Sequence, residues 1–144
     1  MRSIVKYLIV MTIISFVNSC NAQLMQTLND ANKIELNKDY YVGKKFKTIL
    51  VDIKPKIESY SILPDPSYTK AGGVSLLFDT PARHFNRLSN AKTKDESPAT
   101  IGVYFTDIDA VNKIIKNRRG QWTHGLADSL SNLIIQRVYA YGKN

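Results

Sequence analysis

Asp107 and Asp109 stand two positions apart in the stretch "TDID", and the two histidines of the chain are His84 and His124. Two carboxylates and two imidazoles make a donor set for a divalent metal, which accepts oxygen and nitrogen ligands together. The spacing is undemanding, because Asp-x-Asp recurs in many loops and the histidines form no i, i+4 pair. A competing reading makes Asp107 a helix cap and leaves both histidines on the surface. Ser129, His124 and Asp128 supply the residue types of a hydrolytic triad. Neighbours on one short element cannot converge on a substrate, however. No Gly-x-Ser-x-Gly elbow is present. Gly72-Gly73 lacks the Lys-Ser/Thr that a phosphate-binding loop requires. No coherent catalytic set emerges and no cofactor is implied. A metal-dependent hydrolase built on Asp107 and Asp109 is the weakest of three functional readings.

The aromatic residues offer binding chemistry instead. Trp122 and the tyrosines Tyr40, Tyr41, Tyr60, Tyr104, Tyr139 and Tyr141 can fill a core or present rings to a partner. If Tyr139 and Tyr141 point outward beside Arg137, they form a recognition patch, with Trp122 as a further candidate. The chain carries 20 basic and 12 acidic side chains, a net charge of +8. That balance suits an anionic surface or partner. The charges are mostly scattered. "KKFK" (Lys44, Lys45, Lys47) and "KIIKNRR" (Lys113, Lys116, Arg118, Arg119) are the densest clusters, and each also reads as a solvated helix face. No nucleic-acid motif accompanies them, and no nucleic-acid partner is expected.

The single cysteine, Cys20, closes an apolar run. Arg2 and Lys6 make a basic start, Tyr7 to Val17 is uncharged, and Asn18 and Ser19 precede the thiol. This is the layout of a secretory signal. The run is shorter than the roughly 18 apolar residues of a membrane span. "VNSC" resembles the lipobox of bacterial lipoproteins: Val17, Ser19 and Cys20 fit, and Asn18 is unusual at the tolerant position. The resemblance implies diacylglycerol on the Cys20 sulfur, cleavage before it and acylation of the new amino terminus. A second reading has ordinary signal peptidase cut after Ala22, releasing a soluble secreted protein that begins at Gln23. The expected division is a signal peptide over 1–19, a lipidated terminus over 20–23 and one α+β domain over 24–144. With no second thiol, the domain holds no internal disulfide and depends on its core. "SCNAQ" followed by a compact lysine-rich domain is similar to small lipoproteins of Bacteroidota-type bacteria. The residues after Cys20 lack the acidic cluster that resembles surface-export signals. That favours an outer membrane site facing the periplasm.

These candidates need a scaffold. Leu24, Leu28 and Ala31 recur at helical spacing and predict a helix over 23–37, interrupted by "NKDYYVG". Phe46, Ile49, Leu50 and Ile53 predict a second, which Pro55 cannot continue. Three strands follow: "KIESYSIL", with Tyr60 and Ile62 on one face; "VSLLFD", with Val74, Leu76 and Phe78; and "ATIGVYF". Thr80-Pro81 opens a short helical turn between the last two. "SNAKTKDESP" reads as an exposed loop. "TDIDAVNKIIKN" predicts a helix capped by Thr106 or Asp107, stopped by Gly120. "WTHGLADSLSN" is helical in its second half, and "LIIQRVYAYG" is a fourth strand. The order ααβββαβ implies an α+β fold: a four-stranded antiparallel sheet with helices on one face. The leading functional reading is a non-enzymatic envelope lipoprotein that binds a protein or an anionic envelope component. The second is a periplasmic inhibitor or immunity protein against an acidic toxin or hydrolase.

Overall fold

A computed structural model describes residues 24–93 and 96–143. The expected signal segment and Cys20 lie outside the described residues. The fold is α+β around an antiparallel sheet. The sheet has five strands: β1 (Ser59–Pro64), β2 (Ala71–Leu77), β3 (Thr100–Phe105), β4 (Arg119–Gln121) and β5 (Ile135–Tyr141), in the order β4-β1-β2-β3-β5. The expected count of four missed β4. Arg119-Gly120-Gln121 carries no apolar residue, so no period-two pattern marks it. Register marks it instead, because Gly120 faces Tyr60 and leaves room for that ring.

Period-two geometry divides the sheet into two faces. Tyr60, Val74, Leu76, Ile101, Val103, Val138 and Ala140 share the first, through the pairs Tyr60–Leu76, Val74–Val103, Leu76–Ile101, Val103–Val138 and Ile101–Ala140. All are buried, and they form the floor of the hydrophobic core. Five helices supply its other wall: α1 (Ala31–Leu36), α2 (Lys38–Tyr41), α3 (Phe46–Val51), α5 (Ile108–Ile114) and α6 (His124–Leu130). Each buries the residues its spacing selects: Ala31 and Ile34, Tyr41, Phe46 and Ile49, Val111, and Leu130. Phe46 meets Phe105 edge to face at 5.2 Å between ring centres.

The remaining helix, α4 (Pro81–Asn90), lies against the opposite face, where the sequence expectation had no helix. It packs through His84 against Thr100, and Phe85 meets Arg119. The predicted helix over 23–37 is also shorter than its spacing implies. The Asp30 carboxylate accepts from the backbone N–H of Thr27 at 2.8 Å. That starts a 3₁₀ turn at Leu28–Asp30, which leads into α1. Before it, Met25 runs extended and bridges Ile53. "KDYY", expected as an interruption, forms α2 and buries the Tyr41 ring.

Candidate functional site

The structure separates the residues proposed for metal binding. Asp107 caps α5, its Oδ1 accepting from the Ala110 N–H at 2.8 Å. Asp109, two residues on, is exposed and paired with Lys70 at 2.8 Å. Lys70 holds the Asp109 carboxyl below the usual range, through a hydrogen bond first and its charge second. His124 is exposed at the start of α6. His84 lies on the second face of the sheet and is only 2 % exposed, so it is no surface group. Among the described residues, no three His, Cys, Asp or Glu side chains are grouped to hold a metal. The triad fails as well: Ser129 donates to the Gly125 carbonyl, not to His124.

The second face places the aromatic candidates differently. Arg137, Tyr139 and Tyr141 share it with Thr100, Gly102 and Tyr104 of β3, and with Gly73 and Ser75 of β2. α4 covers the end of this face that holds Thr100. Along β3 and β5 the face carries a ladder of rings, from Tyr141 opposite Thr100 to Tyr104 opposite Arg137. Tyr139 and Tyr141 stack at 5.9 Å with planes 10° apart, and Tyr104 lies 6.4 Å from Tyr139. Gly102 makes the ladder possible, because the Tyr139 ring occupies the space a side chain would fill there. The Tyr139 hydroxyl sits 3.3 Å from Ser75 Oγ. Burial raises the Tyr139 phenol above its usual pKa, so it stays a neutral donor. Arg137 lays its guanidinium over the Tyr104 ring at 4.5 Å. Among the described residues it forms no ion pair. Trp122 is elsewhere: it packs on Phe46 at 6.2 Å, against the core and away from the tyrosines. Tyr41 and Tyr60 are core residues.

Arg137 and Tyr104 form one wall of an open cleft of about 670 Å³. The other wall is the β1–β2 hairpin tip, Pro64 to Tyr68, and Asp39, Val42 and Gln136 complete the lining. The tip is held internally. Asp65 accepts from the Ser67 hydroxyl at 2.6 Å and from the N–H groups of Thr69 and Lys70 at 3.0 and 3.1 Å. These bonds keep its carboxyl below the ordinary pKa, the Ser67 bond contributing most. They also fix Tyr68 at φ 59°, a left-handed conformation that bulky side chains seldom adopt. Tyr68 is 82 % exposed. Tyr68, Asp39 and Gln136 were not found from sequence. A tyrosine inside the proline-marked turn "PDPSYT" was the available signal, since a turn of that kind cannot bury its ring.

Comparison with protein families, with characterised proteins and with solved structures finds no match, so function rests on this geometry.

Proposed function

We propose that this domain is a non-enzymatic binding module, displayed at the bacterial envelope by a lipid anchor on Cys20. The observation that carries the reading is Arg137. It is a guanidinium held over the Tyr104 ring, without a carboxylate partner among the described residues, at the wall of a cleft rimmed by an exposed tyrosine. An arginine held over a ring presents its outer N–H donors already oriented, so little freedom is lost when an anionic group arrives. The basic balance of the whole chain draws such a group in. The lipobox resemblance supplies the location: acyl chains on Cys20 hold the cleft at a membrane facing the periplasm. Attachment through several chains is stable, at about 0.8 kcal/mol per buried methylene. No helix among the described residues is long and apolar enough to cross a membrane.

Two measurements test this reading. A Cys20→Ser protein should lose incorporated palmitate and its membrane fraction; an unchanged partition removes the anchor. A photo-cross-linking residue at Tyr68 or Tyr104 in the full chain should capture envelope material in cells. Cross-links at the exposed α6 position His124 serve as the baseline. Capture no greater than that baseline removes the binding module. Capture of one acidic enzyme would favour the inhibitor or immunity reading over a receptor for envelope material.

A further inference from the structure

We infer that the cleft takes an acidic glycan: a short chain of pyranose rings with a carboxylate that meets Arg137. This ligand class stands on the binding reading of the cleft.

Three features of the site select it. The first is shape. Beside the cleft of about 670 Å³ lies a hollow of about 470 Å³, and the two share Asp39, Val42 and Arg137. A ligand can therefore run across Arg137 from one to the other, which fits an oligomer of linked rings better than a single small molecule. Each volume is in the range of small-ligand sites. The second feature is the kind of apolar surface. The lining offers flat faces, the Tyr68 ring and the prolines Pro64 and Pro66, while the Tyr104 ring lies under Arg137. Val42 is the one branched aliphatic side chain in this lining. Flat rings suit the C–H faces of a pyranose. The planar ends of Gln136 and Asp39 suit its hydroxyls, the amide donating or accepting and the carboxylate accepting. The third feature is charge. Arg83 and Arg87 both hold Asp79, whereas Arg118, Arg119 and Arg137 form no ion pair among the described residues, and of these three only Arg137 lines this cleft. Arg137 is the one cation of the lining, so a ligand carboxylate meets it and is held away from Asp39 and Asp65, which limits the site to one carboxylate at a time.

The neighbouring backbone argues against a peptide added to the sheet. Strand addition needs a run of free amides and carbonyls on an edge. The β5 edge is covered at both ends. Gly43 and Lys44 exchange hydrogen bonds with Ile135 at 2.8 and 2.9 Å, and Glu35 accepts from the Ala140 N–H at 2.7 Å. Too little edge remains between them for a strand.

Tyr68 completes the site. Its left-handed backbone is strained, and the Asp65 network holds that strain in place. A glycine would meet the turn at no cost. The tyrosine there serves as a preformed rim for the first ring.

The test is calorimetric titration of the full-length protein in a sugar-free detergent. The probes are an oligoglucuronate, the same oligomer with its carboxylates reduced to alcohols, and a Glu-rich peptide of matched charge. The oligoglucuronate should bind saturably, at about 1 mM or tighter. Carboxyl reduction or Arg137→Gln should weaken it by at least about tenfold. Tyr68→Gly should weaken it comparably while leaving the protein as stable or more so, which separates lost binding from lost folding. Arg83→Gln should leave it unchanged. Equal binding of the reduced oligomer, tighter binding of the peptide, or no heat with any probe overturns the glycan. Peptide binding lost in Arg137→Gln overturns the ligand class alone and leaves the binding module standing. No heat together with baseline cross-linking removes both.

Discussion

Acidification loads a proton onto a ring that has no partner for it. His84 projects from α4 onto the second face of the sheet and is 2 % exposed. Its Nε2 lies 3.5 Å from Thr100 Oγ1, and its Nδ1 has no hydrogen-bond partner among the described residues. Burial lowers the imidazole below its ordinary pKa of 6.5; the nearby Asp79 charge opposes this and Arg87 adds to it. Asp79 gives little relief, since Arg83 and Arg87 already engage it at 3.3 and 2.9 Å. The folded state therefore binds fewer protons than the unfolded state below 6.5, and stability falls as pH drops through that value. The slope is at most about 1.4 kcal/mol per pH unit and flattens at the folded-state pKa. Between about pH 7.5 and 5.5 the loss is at most about 1.4 kcal/mol, to be set against the roughly 5–15 kcal/mol of a domain. Urea unfolding at both pH values measures it. His84→Leu removes the unpartnered nitrogen and keeps the volume, so it should stay within about 1 kcal/mol of the parent near pH 7.5 and lose the slope. His124→Gln should keep the slope. A His84→Leu protein with the parental pH dependence would refute the assignment. Amide exchange should locate the effect: α4 should open in mild acid before the sheet does.

Two further substitutions probe the supports of the cleft. Tyr41→Phe removes the 2.8 Å bond from the Tyr41 hydroxyl to Asp52, which ties α2 to the end of α3. It should cost about 1.5–3 kcal/mol by urea unfolding, nearer the lower figure because Asp52 is partly solvated; no measurable loss would show that water replaces the bond. Glu35→Ala uncaps the Ala140 N–H on the β5 edge, so concentration-dependent self-association should appear in light scattering, and a monomer at all concentrations would contradict that role.

What the sequence discloses follows from where its periodicity is strong. β2, β3 and β5 were legible because β-branched and aromatic residues alternate against small or polar ones. The Phe46–Val51 helix was legible because Phe46 and Ile49 fall on one buried stripe. β4 has only Arg119, Gly120 and Gln121, and its place is set by pairing with residues some sixty positions earlier, beyond any local window. The helix expected over 23–37 failed because Asp30 caps amides that a longer helix would have used internally. α4 was foreseen as a helical turn after Thr80-Pro81, but its side of the sheet was not. Local pattern says which residues are apolar, and the His84 ring is buried here with only a weak polar contact. Of the site, Arg137, Tyr139 and Tyr141 could be read from period-two spacing. The hairpin tip could not, since its role depends on a left-handed residue that sequence does not advertise.

The two sheet faces divide the work of this chain. The first face is apolar throughout and carries the core with five helices. The second is covered by α4 around Thr100 and carries tyrosines, arginine and glycine along β3 and β5. A protein selecting only for stability gains by covering more of that face, because each large apolar side chain buried there would contribute about 1.5–3 kcal/mol. Gly102 leaves its space to the Tyr139 ring, and Gly73 lets the β3 backbone approach, where a side chain would meet the Val103 carbonyl. Tyr68 adds backbone strain at the rim. That strain sits at the rim of the cleft whose wall carries a guanidinium with no ion-pair partner among the described residues. Stability alone accounts for neither, and the proposed ligand would engage both.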